Sequence, residues 1–249
     1  MGGGHRSYMK EIELLARHGY TVLSYDHTGC MESEGENIGG FAQSLSDLDS
    51  LLITLENDEK YKDVSISVVG HSRGEFSTLN ISVLHPKTTH IVAISGFVSV
   101  RKMLKQVFPG IMKLYIPALY KIEEMSNPEY AKYDAAESLI KSNVKAMIIH
   151  SEYDNAVSYK AHFSYLKEQL FGRPNTHFLA FSDKGHNPNF TQSAVKFKDD
   201  FFATLTEKTK NGEFTSEEKR KTFRDSYDWE KMTEQDRTLW ERIFGFLDN

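Results

Sequence analysis

The sequence predicts an α/β domain in which a mostly parallel sheet is covered by helices. Three observations carry this expectation. Short β-branched runs alternate with helical stretches along the chain. The glycine-containing loop Asp26 to Gly40 lacks a two-residue hairpin turn and reads as a crossover connection. One run also passes directly through Gly70-His71-Ser72-Arg73-Gly74 into a helical pattern, which is a strand–turn–helix arrangement.

Each element can be justified in order. Tyr8 to Arg17 reads as a helix, with Met9, Ile12 and Leu15 spaced by three, and His18-Gly19 ends it. Tyr20 to Tyr25 is rich in β-branched and aromatic residues and is predicted to be a strand. Leu45, Leu48, Leu52 and Leu55 mark one face of an amphipathic helix. Val64 to Val69 is the second predicted strand, followed by a helix carrying Phe76, Leu79 and Val83. Ile91 to Ile94, Val144 to His150 and Thr176 to Phe181 are the third, fourth and fifth strands. A long helix then spans roughly Thr191 to Lys208.

Two segments interrupt this rhythm. Residues 97–143 hold Phe108, Met112, Leu114, Tyr115, Ile116, Leu119 and Tyr120 without strand alternation, and read as a helical cap inserted after the third strand. The core is then divided into residues 1–96 and 144–249. From Lys210 onward the chain is highly charged, then ends in Leu239, Trp240, Ile243, Phe244 and Leu247. Thr233 and Asp236 resemble a capping box that opens this last helix, whose apolar face is expected to dock on the domain.

Bulk properties exclude several functions. A length of 249 residues can bury a sizeable core, and 39% hydrophobic with 26% charged residues is ordinary for a globular protein. The net charge of −5 lacks the basic footprint of a nucleic-acid binder and gives no reason to expect an anionic membrane surface as partner. No run approaches the ~18 apolar residues of a membrane span, and the first residues lack an apolar signal core. The single cysteine, Cys30, cannot form an internal disulfide, which suits a reducing cytoplasm. No histidine pair has helical ligand spacing with an acid nearby, so no metal is expected. Gly2-Gly3-Gly4 follows no strand, so no nucleotide cofactor is expected either.

Ser72 carries the chemistry. A serine hydroxyl must project from a strained turn to reach a carbonyl, and a helix that begins there aims its backbone N–H groups at developing negative charge. The alternative reading of Gly70-x-Ser72-x-Gly74 is a purely structural turn. A nucleophilic serine needs a base, and the base needs an orienting acid. On a sheet of this kind the order should be serine, acid, histidine, each just beyond a strand end. Asp154 follows the fourth strand and His186 the fifth, so both sit where that order demands. Glu152 is the rival acid; Asp183 is too close to His186 in sequence to orient it easily. His18, His85 and His90 have helix-end or turn explanations, and His71 is expected to pack beneath the serine.

These residues resemble a small bacterial-type α/β-hydrolase of the esterase, lipase and serine-peptidase-like group. The likeness runs from Gly2-Gly3-Gly4 through Tyr20 to Asp26, Glu32-Ser33-Glu34-Gly35, the Ser72 elbow, Asp154 and His186. It implies an acyl-enzyme mechanism on a small-molecule acyl substrate. The serine attacks, the histidine shuttles the proton, and the aspartate holds the imidazolium. It also implies an oxyanion hole built from the N–H of Arg73 and a second donor, best matched by Gly2 and then Gly3.

Three departures from that family stand out. Glu75 occupies a position where a small residue is usual, and a carboxylate there could crowd the turn or oppose an oxyanion. Ser151 replaces a common glycine. The strand that precedes the oxyanion loop is absent, although the resemblance would place it between Tyr20–Tyr25 and Val64–Val69. The sequence is therefore expected to be N-terminally truncated relative to a full enzyme. Losing one oxyanion donor costs about 100- to 1,000-fold in turnover. Two readings follow: a serine hydrolase cleaving an ester, thioester or amide of a small, apolar substrate, and a non-catalytic or truncated member of the fold.

Overall fold

The computed structural model describes residues 4–249. A short helical turn, His5–Tyr8, leads into α1 (Met9–Arg17), and α2 (Gln43–Asn57) follows the long loop. Strand β1 (Ile66–His71) runs into α3 (Arg73–Asn80), then β2 (Thr88–Ile94). Next come α4 (Val100–Val107), a turn at Gly110–Tyr115, α5 (Ile116–Ser126) and α6 (Ala135–Lys141). Strand β3 (Lys145–Ser151), α7 (Tyr165–Gln169) and β4 (Thr176–Phe181) complete the sheet. The chain ends with α8 (Gln192–Lys210), α9 (Glu217–Asp225), α10 (Trp229–Met232) and α11 (Arg237–Leu247).

The four strands pair in parallel in the order β1-β2-β3-β4. Period-2 alternation sends their side chains to two covered faces, as a parallel sheet requires. Ile91, Ala93, Ala146 and Ile148 pack on one face with Leu79 of α3, Leu139 of α6 and Leu166 of α7. Val92, Ile94, Met147 and Ile149 pack on the other with Leu239, Trp240 and Ile243 of α11, and with Leu14 and Leu15 of α1. A third cluster joins Leu45, Leu48 and Leu52 of α2 to Val100 and Leu104 of α4 and Ile116 of α5.

Two local expectations are corrected. Tyr20–Tyr25 is not a strand. Tyr20 N–H donates to the Leu15 carbonyl at 3.2 Å, and the side chains of Tyr20 and Tyr25 pack against two different core clusters. Among the described residues no strand lies between this segment and β1, and neither edge finds a ladder partner. High β-propensity describes how side chains fit a pleated sheet and cannot supply the missing hydrogen bonds. The capping box at Thr233 and Asp236 is also replaced by a simpler cap. Thr233 closes α10, and Asp236 is itself the N-cap of α11, its carboxylate accepting from Leu239 N–H at 3.2 Å.

The segment between β2 and β3 behaves in two ways. Ala135, Ala136 and Leu139 of α6 belong to the cluster on the sheet, whereas α4 and α5 pack against α2. α4 also reaches the loop after β3. The Gln106 amide donates to the Ala156 carbonyl at 2.8 Å and accepts from Ser158 N–H at 2.8 Å.

Candidate active site

The turn between β1 and α3 sets Ser72 at φ 57° and ψ −118°, a left-handed φ that side chains rarely adopt. The fold holds this turn from outside. Ser72 N–H donates to the Ile94 carbonyl at 2.8 Å, and Glu75 N–H donates to the Ser72 carbonyl at 3.0 Å. A Cβ on Gly70 would collide with Thr78 Oγ1 and the Gly74 carbonyl, so this position must be glycine. Gly74 has open space at its Cβ direction, so its neighbours do not demand glycine there. Gly96, at the end of β2, is the other close approach: a Cβ there would strike Glu75 and the Ser72 carbonyl.

The sheet order brings three distant residues together at the carboxyl ends of the strands. Ser72 Oγ lies 2.9 Å from His186 Nε2, and His186 Nδ1 lies 2.8 Å from Asp154 Oδ2. A carboxylate oxygen only accepts, so His186 Nδ1 carries the proton, which leaves Nε2 as acceptor for the serine O–H. Asp154 is fixed in turn by Ala156 N–H at 2.8 Å and Val157 N–H at 2.9 Å, both donating to its Oδ1. Burial opposes ionisation of Asp154. The His186 hydrogen bond and charge, with the two backbone donors, outweigh it and hold the carboxyl below the usual carboxylate range.

The rival acids point elsewhere. Glu152 is exposed, and Asp183 is exposed and bound to Gln192. Cys30 sits in the turn that begins at His27, where its N–H donates to the His27 carbonyl. Arg73 N–H is the first backbone donor of α3 and has no acceptor among the described residues. Its guanidinium donates to the Ile38 carbonyl at 2.8 Å and so ties the elbow to the long loop. Gly2 and Gly3, the expected second oxyanion donors, lie outside the described residues.

Glu75 neither crowds the turn nor faces the serine oxygen. Its side chain is buried and accepts a hydrogen bond from Gly96 N–H. Burial, opposed by that hydrogen bond and reinforced by the Asp154 charge, pushes its pKa well above the usual range.

Two histidines near the site make contacts that the sequence did not indicate. His71 bonds to the backbone of His186. Its Nε2 lies 2.8 Å from the His186 carbonyl oxygen, so Nε2 carries the proton and Nδ1 accepts from Tyr8 O–H at 3.0 Å. Burial, with the neighbouring His186, lowers its pKa to about 3, so it stays neutral. His150 is buried four residues before Asp154. Its Nε2 donates to the Val157 carbonyl at 3.0 Å and sits 3.4 Å from Asp154 Oδ2. The His71 contact spans 115 residues, so no spacing rule flags it, whereas the His150 contacts lie within seven residues along the chain.

Comparison with known proteins bears on the family and the fold. A family model described as serine aminopeptidase, S33, matches residues 2–167. An esterase of Pyrococcus furiosus, Pf2001, superposes with a TM-score of 0.56 at 19% identity, covering 83% of this chain and 77% of that one. A monoacylglycerol lipase of Paleococcus ferrophilus gives 0.52 at 18% identity, covering 75% and 82%. A bromoperoxidase of Bacillus anthracis gives 0.52 at 18% identity, covering 82% and 87%. These solved structures share the α/β-hydrolase fold with the chain. No curated protein sequence matches it significantly.

Proposed function

The chain belongs to the serine aminopeptidase S33 family of α/β-hydrolases, and on that premise we propose that it cleaves an acyl ester, or a related thioester or amide, through Ser72, His186 and Asp154. The observation that carries the reading is the continuous hydrogen-bonded chain of 2.9 Å and 2.8 Å from the serine oxygen to the buried carboxylate. In this mechanism Ser72 Oγ attacks the acyl carbon while His186 Nε2 takes its proton. The Asp154 charge steadies the imidazolium that forms. Arg73 N–H at the start of α3 donates to the oxyanion, with Gly2 or Gly3 as the second donor. Collapse of the tetrahedral intermediate expels the alcohol, thiol or amine, which takes the proton back from His186. A water activated by the same histidine then attacks the acyl-enzyme and releases the acid.

An apolar acyl group is favoured by the apolar content of the cap, and the aromatic residues that follow the elbow are buried core beside the site. Phe76 and Phe97 stack at 5.0 Å, and Phe41 meets Phe97 edge-on at 5.5 Å. Within residues 97–143, α4 and α5 act as the cap over this side of the site, while α6 packs on the sheet. A lone cysteine supports work in a reducing compartment such as the cytoplasm.

Labelling with a fluorophosphonate probe tests the reading. An adduct on Ser72 that His186→Ala abolishes is the expected result. A folded chain that takes no adduct would overturn it in favour of the non-catalytic alternative.

A further inference from the structure

The outer face of α5 breaks the usual pattern of a surface helix. Its inner side buries Ile116 and Glu123, with Leu119 and Tyr120 partly buried beside them. The opposite side should then be polar. Instead, Tyr115, Ala118, Ile122 and Met125 follow one another at helical spacing on the exposed side, with Tyr115 65%, Ile122 59% and Met125 74% exposed. The stripe continues into the turn before α5, where Ile111 is 81% and Leu114 79% exposed. Exposure of this extent means side chains that reach into solvent and touch little of their own fold. Contiguous apolar surface of this kind marks a docking site.

Charge identifies the partner. Residues 97–122 contain five cations, Arg101, Lys102, Lys105, Lys113 and Lys121, and no acid. The remainder of the chain is at −10, which hides this basic segment within a total of −5. Arg101 lies over the Tyr120 ring, Lys102 over the Tyr165 ring, and Lys121 pairs with Glu124, which leaves Lys105 and Lys113 exposed with no ion-pair partner among the described residues. Of the next acids, Glu123 accepts from Phe41 N–H at 2.9 Å, and Glu124 pairs with Lys121 at 3.3 Å. A symmetric dimer through this face would press two basic surfaces together, which like charge disfavours. Aliphatic and tyrosine side chains flanked by lysines, whose stems can lie along apolar surface with the ammonium in the headgroups, fit an anionic bilayer.

We propose that the basic, apolar face formed by the Gly110–Tyr115 turn and the outer stripe of α5 docks this protein on the surface of an anionic phospholipid bilayer. The chain lies on the membrane without crossing it, since no helix among the described residues is long and apolar enough to span one. The docking itself does not require hydrolysis, so a Ser72→Ala protein serves the test equally well.

The experiment is co-sedimentation of the full chain with vesicles of equal parts phosphatidylglycerol and phosphatidylcholine, and with vesicles of phosphatidylcholine alone. Binding to the anionic vesicles should be at least about tenfold stronger, at roughly 1 kcal/mol per surface cation, and should weaken as salt is raised. The combined substitution Ile111→Glu, Leu114→Glu and Ile122→Glu should lower it about tenfold or more while circular dichroism stays unchanged. If that variant fails to fold, Lys113→Glu with Met125→Glu reads the same face. No binding to anionic vesicles at low salt overturns the proposal, and so does binding that these substitutions leave intact. A doubling of mass by light scattering that the apolar substitutions abolish also overturns it, because a second copy would then cover the face.

Discussion

At the scale of single residues, Asp154 and Glu152 present a direct contest. Both follow β3, and only Asp154 reaches His186, at 2.8 Å, with two backbone donors fixing its other oxygen. Asp154→Asn should therefore lower kcat by about 10⁴-fold, because an amide holds the imidazole in the wrong tautomer. Glu152→Gln, on an exposed side chain, should change kcat less than about twofold. Steady-state kinetics of the two variants on one chromogenic ester decide between them, and the reverse ranking would overturn the assignment. Glu75 offers a test by pH. Burial raises its pKa in the folded chain above the ordinary 4.5, so the folded state holds the proton more tightly than the unfolded state. That contribution is complete below pH 4.5 and is lost as pH rises towards the elevated folded value. Glu75→Gln keeps an acceptor for Gly96 N–H and cannot ionise. Its urea midpoint should move progressively above wild type as pH rises from 4.5, and a gap that does not change with pH would contradict this account.

At the scale of elements, what could be read in the sequence was what local chemistry determines. The Ser72 elbow is local: a strand, two glycines and a helix within a few residues are enough to place it. Asp154 and His186 were legible through chain order, because parallel strands deliver their following loops to one end of the sheet. Tyr20–Tyr25 was misread because a strand is a relation between neighbours, and β-branched residues cannot reveal whether a partner lies beside them. The inward turn of Glu75 was illegible for a related reason. It depends on Gly96, at the end of a different strand, coming close enough to offer its N–H. His71 was read as packing alone because its link to the His186 carbonyl spans 115 residues. The docking of α11 was legible from its apolar face, and it carries a prediction of its own. Trp240 is 1% exposed and fills the sheet face formed by Val92, Ile94, Met147 and Ile149. Trp240→Ala should cost about 3–5 kcal/mol of stability, read as a lowered denaturant midpoint. A loss under about 1 kcal/mol would mean that α11 is not integral to the core.

At the scale of the whole molecule, the sheet implies a gradient of local stability. β2 and β3 are paired on both sides, and both of their faces are covered by helices. Their amides can exchange with solvent only when the domain opens as a unit, so their protection should approach the global stability, about 5–15 kcal/mol for a domain of ordinary size. β1 is paired only with β2 among the described residues and should open more easily. Thr21 to Tyr25 lie at the far end of this gradient. They belong to no ladder, and the segment is held at its ends by the Tyr20 N–H bond to the Leu15 carbonyl and by the side chains of Tyr20 and Tyr25. Their amides should exchange within about a factor of ten of the unprotected rate, even though the sequence there has the composition of a strand. Native-state hydrogen exchange read peptide by peptide separates the two cases. Slow exchange over 21–25, comparable with that of β2, would show that the segment is hydrogen-bonded in solution, and the sheet would then extend beyond four strands. Fast exchange there beside slow exchange in β2 and β3 would mean that the triad stands on a small, rigid sheet whose edge at β1 is open, and that Ser72, at the end of that edge strand, is held chiefly by its bond to Ile94 and by the packing of Gly70 and Gly96.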